Sequence, residues 1–150
     1  MKVYKFGGAS VRNADGVRNL RKIIDDEQNL FIIVSAMGKT TNALEKVFEG
    51  VQKGDRQLSL DNVEALRKYH AEIIDDLWRG PKRLPAVDAL FDELEKIAVE
   101  TDYKPADAEL WYDTIVAYGE LVSTTIISEY LQYAGVPNRW IDMRRCLLTD

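Results

Sequence analysis

The sequence has little cysteine and little histidine: one of each in 150 residues, Cys146 and His70. A lone cysteine excludes an internal disulfide and fits a reducing, cytoplasmic setting. Basic residues are outnumbered, 20 against 25 acidic, for a net charge of -5. A general nucleic-acid binder would carry the opposite balance. Long apolar runs are missing. Leu30 to Val34 is the longest strongly apolar stretch, far short of the ~18 residues a membrane helix needs. Nothing after Met1-Lys2 resembles the apolar core of a signal peptide. Repeats and low-complexity segments are absent too. What remains is 46% hydrophobic and 30% charged, the profile of one globular domain or part of one.

Val3-Tyr4-Lys5-Phe6 reads as a strand that runs into Gly7-Gly8. Asn13 is placed to cap a helix whose inner face is Val17, Leu20, Ile23 and Ile24. Leu30-Phe31-Ile32-Ile33-Val34 is apolar at every position, as in a parallel strand buried on both faces. The order strand, helix, strand predicts a right-handed βαβ unit. Thr40 or Thr41 is expected to cap the next helix, with Leu44, Val47 and Phe48 inside. Asp61 is expected to cap another, striped by Val63, Leu66, His70, Ile73 and Leu77, until Gly80-Pro81 breaks it. His70 on that stripe reads as a core histidine. Pro85 suits the first turn of a helix carrying Val87, Leu90, Phe91, Leu94, Ile97 and Ala98. One long helix is predicted from about Asp107 to Tyr133, with a stripe of Trp111, Ile115, Tyr118, Val122, Ile126, Tyr130 and Tyr133, a second apolar row of Ala117, Leu121, Ile127 and Leu131, and a stop at Gly135. Arg139-Trp140-Ile141-Asp142 reads as a third strand, its end ordered by Asp142 and Arg144. Leu147-Leu148-Thr149-Asp150 then looks like a cut through a sheet. Cys146 has no neighbours that build a nucleophile site and reads as structural.

Three segments carry chemistry. In Lys5-Phe6-Gly7-Gly8-Ala9-Ser10-Val11, glycines let backbone N–H groups approach a phosphate. The Lys5 ammonium would meet its β- and γ-oxygens. The same residues also suit a plain strand-to-helix turn with a surface lysine. Val34-Ser35-Ala36-Met37-Gly38-Lys39-Thr40-Thr41-Asn42 is not a P-loop, because Ile33 stands where a Walker A requires glycine. Ser35, Thr40, Thr41 and a helix N-terminus can instead hold a carboxylate or phosphate. In Tyr118-Gly119-Glu120-Leu121-Val122-Ser123-Thr124, a glutamate interrupts an apolar helix, with Ser123 and Thr124 one turn on. Either a ligand ammonium or an arginine of this chain would satisfy Glu120.

Together these segments resemble the aspartate kinases of the amino acid kinase superfamily. Lys5-Phe6-Gly7-Gly8-x-Ser10-Val11 is similar to that family's N-terminal signature, and Val34 to Asn42 to its second turn. Gly119-Glu120-Leu121-x-Ser123 resembles its third element and Trp140-Ile141-Asp142-x-Arg144 its fourth. Ala9 departs from the pattern, where the family usually has threonine; a hydroxyl is lost and the small size is kept. The resemblance implies a helix-rich, three-layer α/β fold with a parallel central sheet, incomplete at the C-terminus. It implies ATP-dependent phosphorylation of the β-carboxylate of L-aspartate, giving 4-phospho-L-aspartate for lysine, threonine and methionine synthesis. Lys5 would be catalytic, neutralising the transferring phosphoryl group. Lys5, Phe6, Gly7, Gly8 and Ser10 would form the ATP turn. Ser35 and Thr41 would hold aspartate, and Glu120 its α-ammonium. Mg2+ is implied with ATP, its ligands mainly outside this chain. So are the family's Gly-Ser-Asp loop, most of the adenine pocket, a second lysine and the regulatory ACT domains. Residues 1–150 would then be the N-terminal portion of the kinase domain. Alone they are expected to be inactive, and to self-associate through the surface the rest would cover. Two other readings stand beside this one. One is a non-catalytic binding module that keeps the kinase-like turns. The other is a related kinase for glutamate or its acetylated form.

Overall fold

The computed structural model describes residues 1–146. Strand β1 (Lys2–Phe6) lies parallel to β2 (Leu30–Val34), in a register that sets Lys5 against Ile33 and Phe6 against Val34. Helix α1 (Ala14–Ile23) makes the crossover between them. As the sequence predicts, Asn13 caps it: Oδ1 accepts the Gly16 N–H at 2.9 Å. Val17, Leu20 and Ile24 are buried, whereas Ile23, expected inside, is 49% exposed. It follows that the inner face of α1 is narrower than the run of apolar residues implies.

Helices α2 (Thr40–Lys53) and α3 (Arg56–Trp78) follow, joined by a tight turn in which Gly54 takes a left-handed φ of 67°. Neither helix begins with the cap expected for it. Lys39 occupies the first cap position, and the Thr40 hydroxyl turns back to donate to the Met37 carbonyl at 2.6 Å. Asp55, not Asp61, caps α3, accepting the Leu58 N–H at 3.0 Å. Asp61 sits a turn inside, where its carboxylate takes the Gln57 amide. Ser59 is fully buried between the two helices and donates to the Val47 carbonyl. Helix α4 (Pro85–Glu100) starts at its proline as predicted. It buries Val87, Phe91, Leu94 and Ala98, leaving Leu90 and Ile97 half-buried. His70 is a core residue. Its Nδ1–H meets the Leu66 carbonyl at 2.7 Å, its ring lies among Tyr69 and Phe91, and Nε2 has no partner among the described residues.

The single long helix expected over 107–133 is two. Helix α5 (Ala108–Val116), preceded by a 3-10 turn at Pro105–Asp107, gives way at Ala117 to α6 (Tyr118–Tyr133). The break adjoins Gly119, whose missing side chain lets α6 press onto the loop after β2. Ile115, Tyr118, Val122, Ile126 and Tyr130 are buried as the stripe predicts. The ends of the stripe are not: Trp111 is half-buried and Tyr133 exposed.

Two further expectations fail at the sheet. The described residues form a sheet of only two strands. Ile33 on β2 is 44% exposed and only Val34 is buried, so β2 is not covered on both faces. Residues 139–142 make no ladder and are not a third strand. Side chains hold this segment beside α6 instead. Asn138 exchanges hydrogen bonds with Ser128, and the Trp140 indole donates to the Thr124 hydroxyl at 2.9 Å. Asp142 accepts the Arg144 N–H at the head of a 3-10 turn, and its carboxyl is held below the usual range by the Arg144 guanidinium. Asp142 and Arg144 thus order a turn, not a strand end. Cys146 follows in an exposed position and packs no core. Leu147–Asp150, read as a cut sheet, lie outside the described residues. The fold is therefore a helix-rich α/β structure with a small parallel sheet.

Candidate functional site

Parallel strands deliver their C-terminal ends to the same side, so the loops after β1 and β2 meet. Ser35 N–H donates to the Phe6 carbonyl and Gly38 N–H to the Gly8 carbonyl, each at 3.0 Å. A Cβ on Gly8 would strike the Ala36 carbonyl oxygen, so only glycine permits this contact. Gly7 faces open space, and Ser10 N–H closes the turn on the Gly7 carbonyl at 2.9 Å. Val11, fully buried, anchors the turn's far end. Lys5, Ala9 and Ser10 are exposed, and Lys5 makes no ion pair among the described residues. Phe6 differs from its neighbours. Its side chain is buried and its carbonyl is taken by Ser35, so it supports the turn from below.

In the second turn, Gly38 has a left-handed φ of 56°, while Ala36 and Met37 are buried. Ser35 and Thr41 are half-buried, and their hydroxyls have no hydrogen-bond partner among the described residues. Thr40 does not join them: it is 3% exposed and its hydroxyl is committed to Met37.

Helix α6 brings the third element against the second. Glu120 Oε1 accepts the Ala36 N–H at 3.3 Å. The carboxylate is exposed and pairs with no lysine or arginine among the described residues, so the intramolecular ion pair is not formed. Ser123, one turn on, reaches the Glu120 carbonyl at 3.3 Å. It is fully buried and donates to the Ser35 carbonyl at 3.0 Å, tying α6 to the turn. Thr124 donates back to the Glu120 carbonyl and receives Trp140. A groove of about 900 Å³ opens past Glu120, between β2, α6 and residues 136–144.

All the predicted site residues therefore fall on three hydrogen-bonded segments. Lys5, Phe6, Gly7, Gly8 and Ser10 lie on the first turn, Ser35 and Thr41 on the second, and Glu120 on α6, where it alone of the set lines the groove. Among the described residues, this set offers an exposed ammonium, open backbone at a glycine turn, two hydroxyls without partners and an unpaired carboxylate. An acidic zwitterion beside a phosphate would meet a complementary group at each end. Among the described residues no three histidine, cysteine or acidic side chains gather to ligate a metal. No helix among them is long and apolar enough to cross a membrane. Sequence reasoning missed one residue here. The Tyr69 hydroxyl, on α3, donates to the Arg12 carbonyl at the end of the first turn. A tyrosine in a charged helix gives no local signal of such a role.

Comparison with known proteins gives one consistent result. The model of the amino acid kinase family matches residues 1–149. Lysine-sensitive aspartokinase 3 of Escherichia coli is 30% identical over 149 residues, covering 99% of this chain and 32% of that protein. The chloroplastic bifunctional aspartokinase/homoserine dehydrogenase 2 of Arabidopsis thaliana is 28% identical, over 99% of this chain and 17% of that protein. The crystal structure of E. coli aspartokinase III in complex with aspartate and ADP superposes with a TM-score of 0.76 at 29% identity, covering 96% of this chain and 31% of that one. This chain thus spans about a third or less of the length of these relatives. With a match that runs over almost every residue, the chain belongs to the amino acid kinase family.

Proposed function

We propose that residues 1–150 are the N-terminal portion of a kinase domain that transfers the γ-phosphoryl group of ATP to the β-carboxylate of L-aspartate. The observation that carries this is Glu120, an unpaired carboxylate hydrogen-bonded to the very turn that presents the Ser35 and Thr41 hydroxyls. The superposed E. coli enzyme was crystallised in complex with aspartate and ADP, which supports the same pair of ligands. The product would be 4-phospho-L-aspartate, the entry to lysine, threonine and methionine synthesis.

The chemistry asks little of the protein beyond placement. A carboxylate with an ordinary pKa near ~4 is already ionised at neutral pH, so no general base is needed. A carboxylate oxygen attacks the γ-phosphorus, the P–O bond to the β-phosphate breaks, and ADP leaves. Catalysis reduces to alignment and to neutralising charge on the phosphoryl oxygens. The Lys5 ammonium does the second, with open N–H groups at Gly7 and Gly8 and the Ser10 hydroxyl beside it. Ser35 and Thr41 hold a carboxylate of aspartate, and Glu120 takes its α-ammonium. Mg2+ is part of the proposal only as a companion of the nucleotide phosphates, because the described side chains do not gather into a metal site. A cytoplasmic setting goes with it, supported by the single cysteine. The net charge of -5 speaks for small-molecule substrates and against nucleic acid. The groove beside β2 is where the remainder of the domain, or a second copy of the chain, would pack.

The test is a backbone NMR titration of the chain with Mg-ATP and then L-aspartate. ATP is expected to shift Gly7, Gly8 and Ser10, and aspartate to shift Ser35, Thr41 and Glu120. No steady acyl phosphate should be trapped by hydroxylamine from residues 1–150 alone, since one electrostatic contact is worth about 10²–10³ in rate and several lie elsewhere. Shifts scattered away from the two turns would overturn the assignment. Sustained turnover would overturn the incompleteness of the site.

A further inference from the structure

The turn that carries Gly7, Gly8 and Ser10 is tied down at one end by the contacts of Phe6 and Gly8 to the second turn. Its other end, at Arg12, has no backbone bond to that second turn among the described residues. The Tyr69 hydroxyl reaches it there, donating to the Arg12 carbonyl. The same hydroxyl lies against the second turn. A Cβ built on Gly38 would come within 2.6 Å of Tyr69 Oη, and within 3.6 Å of the Arg12 Cβ. One side chain thus touches both turns at the point where they diverge. It comes from α3, which none of the sequence motifs includes. Its base is rigid, because the next residue, His70, is locked in the core.

We propose that Tyr69 is a positioning residue that fixes the spacing between the nucleotide turn and the aspartate turn. This rests on the aspartate kinase reading of the site. In-line transfer needs donor and acceptor held at near-contact distance, and a small displacement of either turn is costly. Tyr69 sets that spacing through the Arg12 carbonyl and the face of Gly38, and touches neither substrate.

The test is Tyr69→Phe in the 150-residue chain, which keeps the ring and removes only the hydroxyl. Amide hydrogen exchange at Gly38 should quicken roughly three- to tenfold, the scale of one lost hydrogen bond. Exchange at Leu94, in the core of α4, should not change and serves as the folding control. Affinity for Mg-ATP and for L-aspartate, read by NMR titration, should each weaken roughly threefold or more. Unchanged exchange at Gly38 would overturn the inference. So would faster exchange with both affinities intact, since the tie would then be merely structural. If the unmutated chain bound neither ligand, the functional reading itself would fall, and this inference with it. That outcome is distinct from binding that survives the substitution.

Discussion

The buried imidazole of His70 makes stability depend on acid in a way that can be worked out in advance. The ring is fully buried, one nitrogen is bonded to the Leu66 carbonyl, and the other has no acceptor for a second proton among the described residues. Burial pushes its pKa from 6.5 down to about 4, and the Leu66 carbonyl offsets only part of that. Because the folded value lies below the unfolded one, protonation favours the unfolded chain. The contribution is therefore fully present above pH 6.5 and is lost as pH falls toward 4. At 1.36 kcal/mol per pH unit, with partial titration at each end, the loss between pH 7.5 and 4.5 is about 2–3 kcal/mol. Carboxylates also titrate at the acid end, so the difference from a variant isolates the histidine. Urea unfolding of wild type and His70→Gln at both pH values gives that difference. The wild type should lose about 2–3 kcal/mol more than the variant on acidification. Equal losses in the two proteins would refute the reasoning, and so would an imidazole that titrates near 6.5 by NMR.

Gly119→Ala sets two effects against each other. A helix gains about 1 kcal/mol from the exchange, but the new Cβ would lie 2.7 Å from Ala36 Cβ and 3.2 Å from Leu44 Cδ1. Overpacking costs about 1–3 kcal/mol and should prevail, so urea unfolding should show net destabilisation; a stabilised variant would refute the close approach. Ser123→Ala leaves the Ser35 carbonyl without its buried donor and should cost about 1–2 kcal/mol, with a loss under about 0.5 counting against the tie. Lys5→Met should leave the melting temperature almost unchanged, because Lys5 is exposed and pairs with nothing among the described residues. The same substitution should weaken ATP binding about tenfold; equal nucleotide affinity would remove Lys5 from the site.

What the sequence made legible was local and chemical. The Asn13 cap, the glycine stop at Gly135, the proline start at Pro85 and the stripe through His70 all depend on neighbours in the chain. The site segments were legible because their chemistry is dense: a lysine before two glycines, hydroxyls at a helix start, a glutamate in an apolar helix. The failures have a different cause. Asp55 and Asp61 are equally good caps in isolation, and the left-handed Gly54 decides between them. Trp140-Ile141 has strand composition, but a strand exists only where a ladder partner lies alongside, and side-chain bonds to α6 took its place. The apolar run of β2 suits burial on both faces, yet burial depends on what packs there, and Ile33 is uncovered. The role of Tyr69 and the bond of Ser123 to the second turn were beyond reach because their partners, Arg12 and Ser35, are distant in sequence.

The claim that Glu120 receives an α-ammonium is tested most directly by comparing L-aspartate with succinate, which has both carboxylates and lacks the amine. Calorimetric or NMR titration of this chain should find L-aspartate at least about tenfold tighter, since a hydrogen bond between charged groups is worth about 1.5–3 kcal/mol. Glu120→Gln should erase most of that preference. Equal affinity for the two ligands in the unmutated chain would contradict the account.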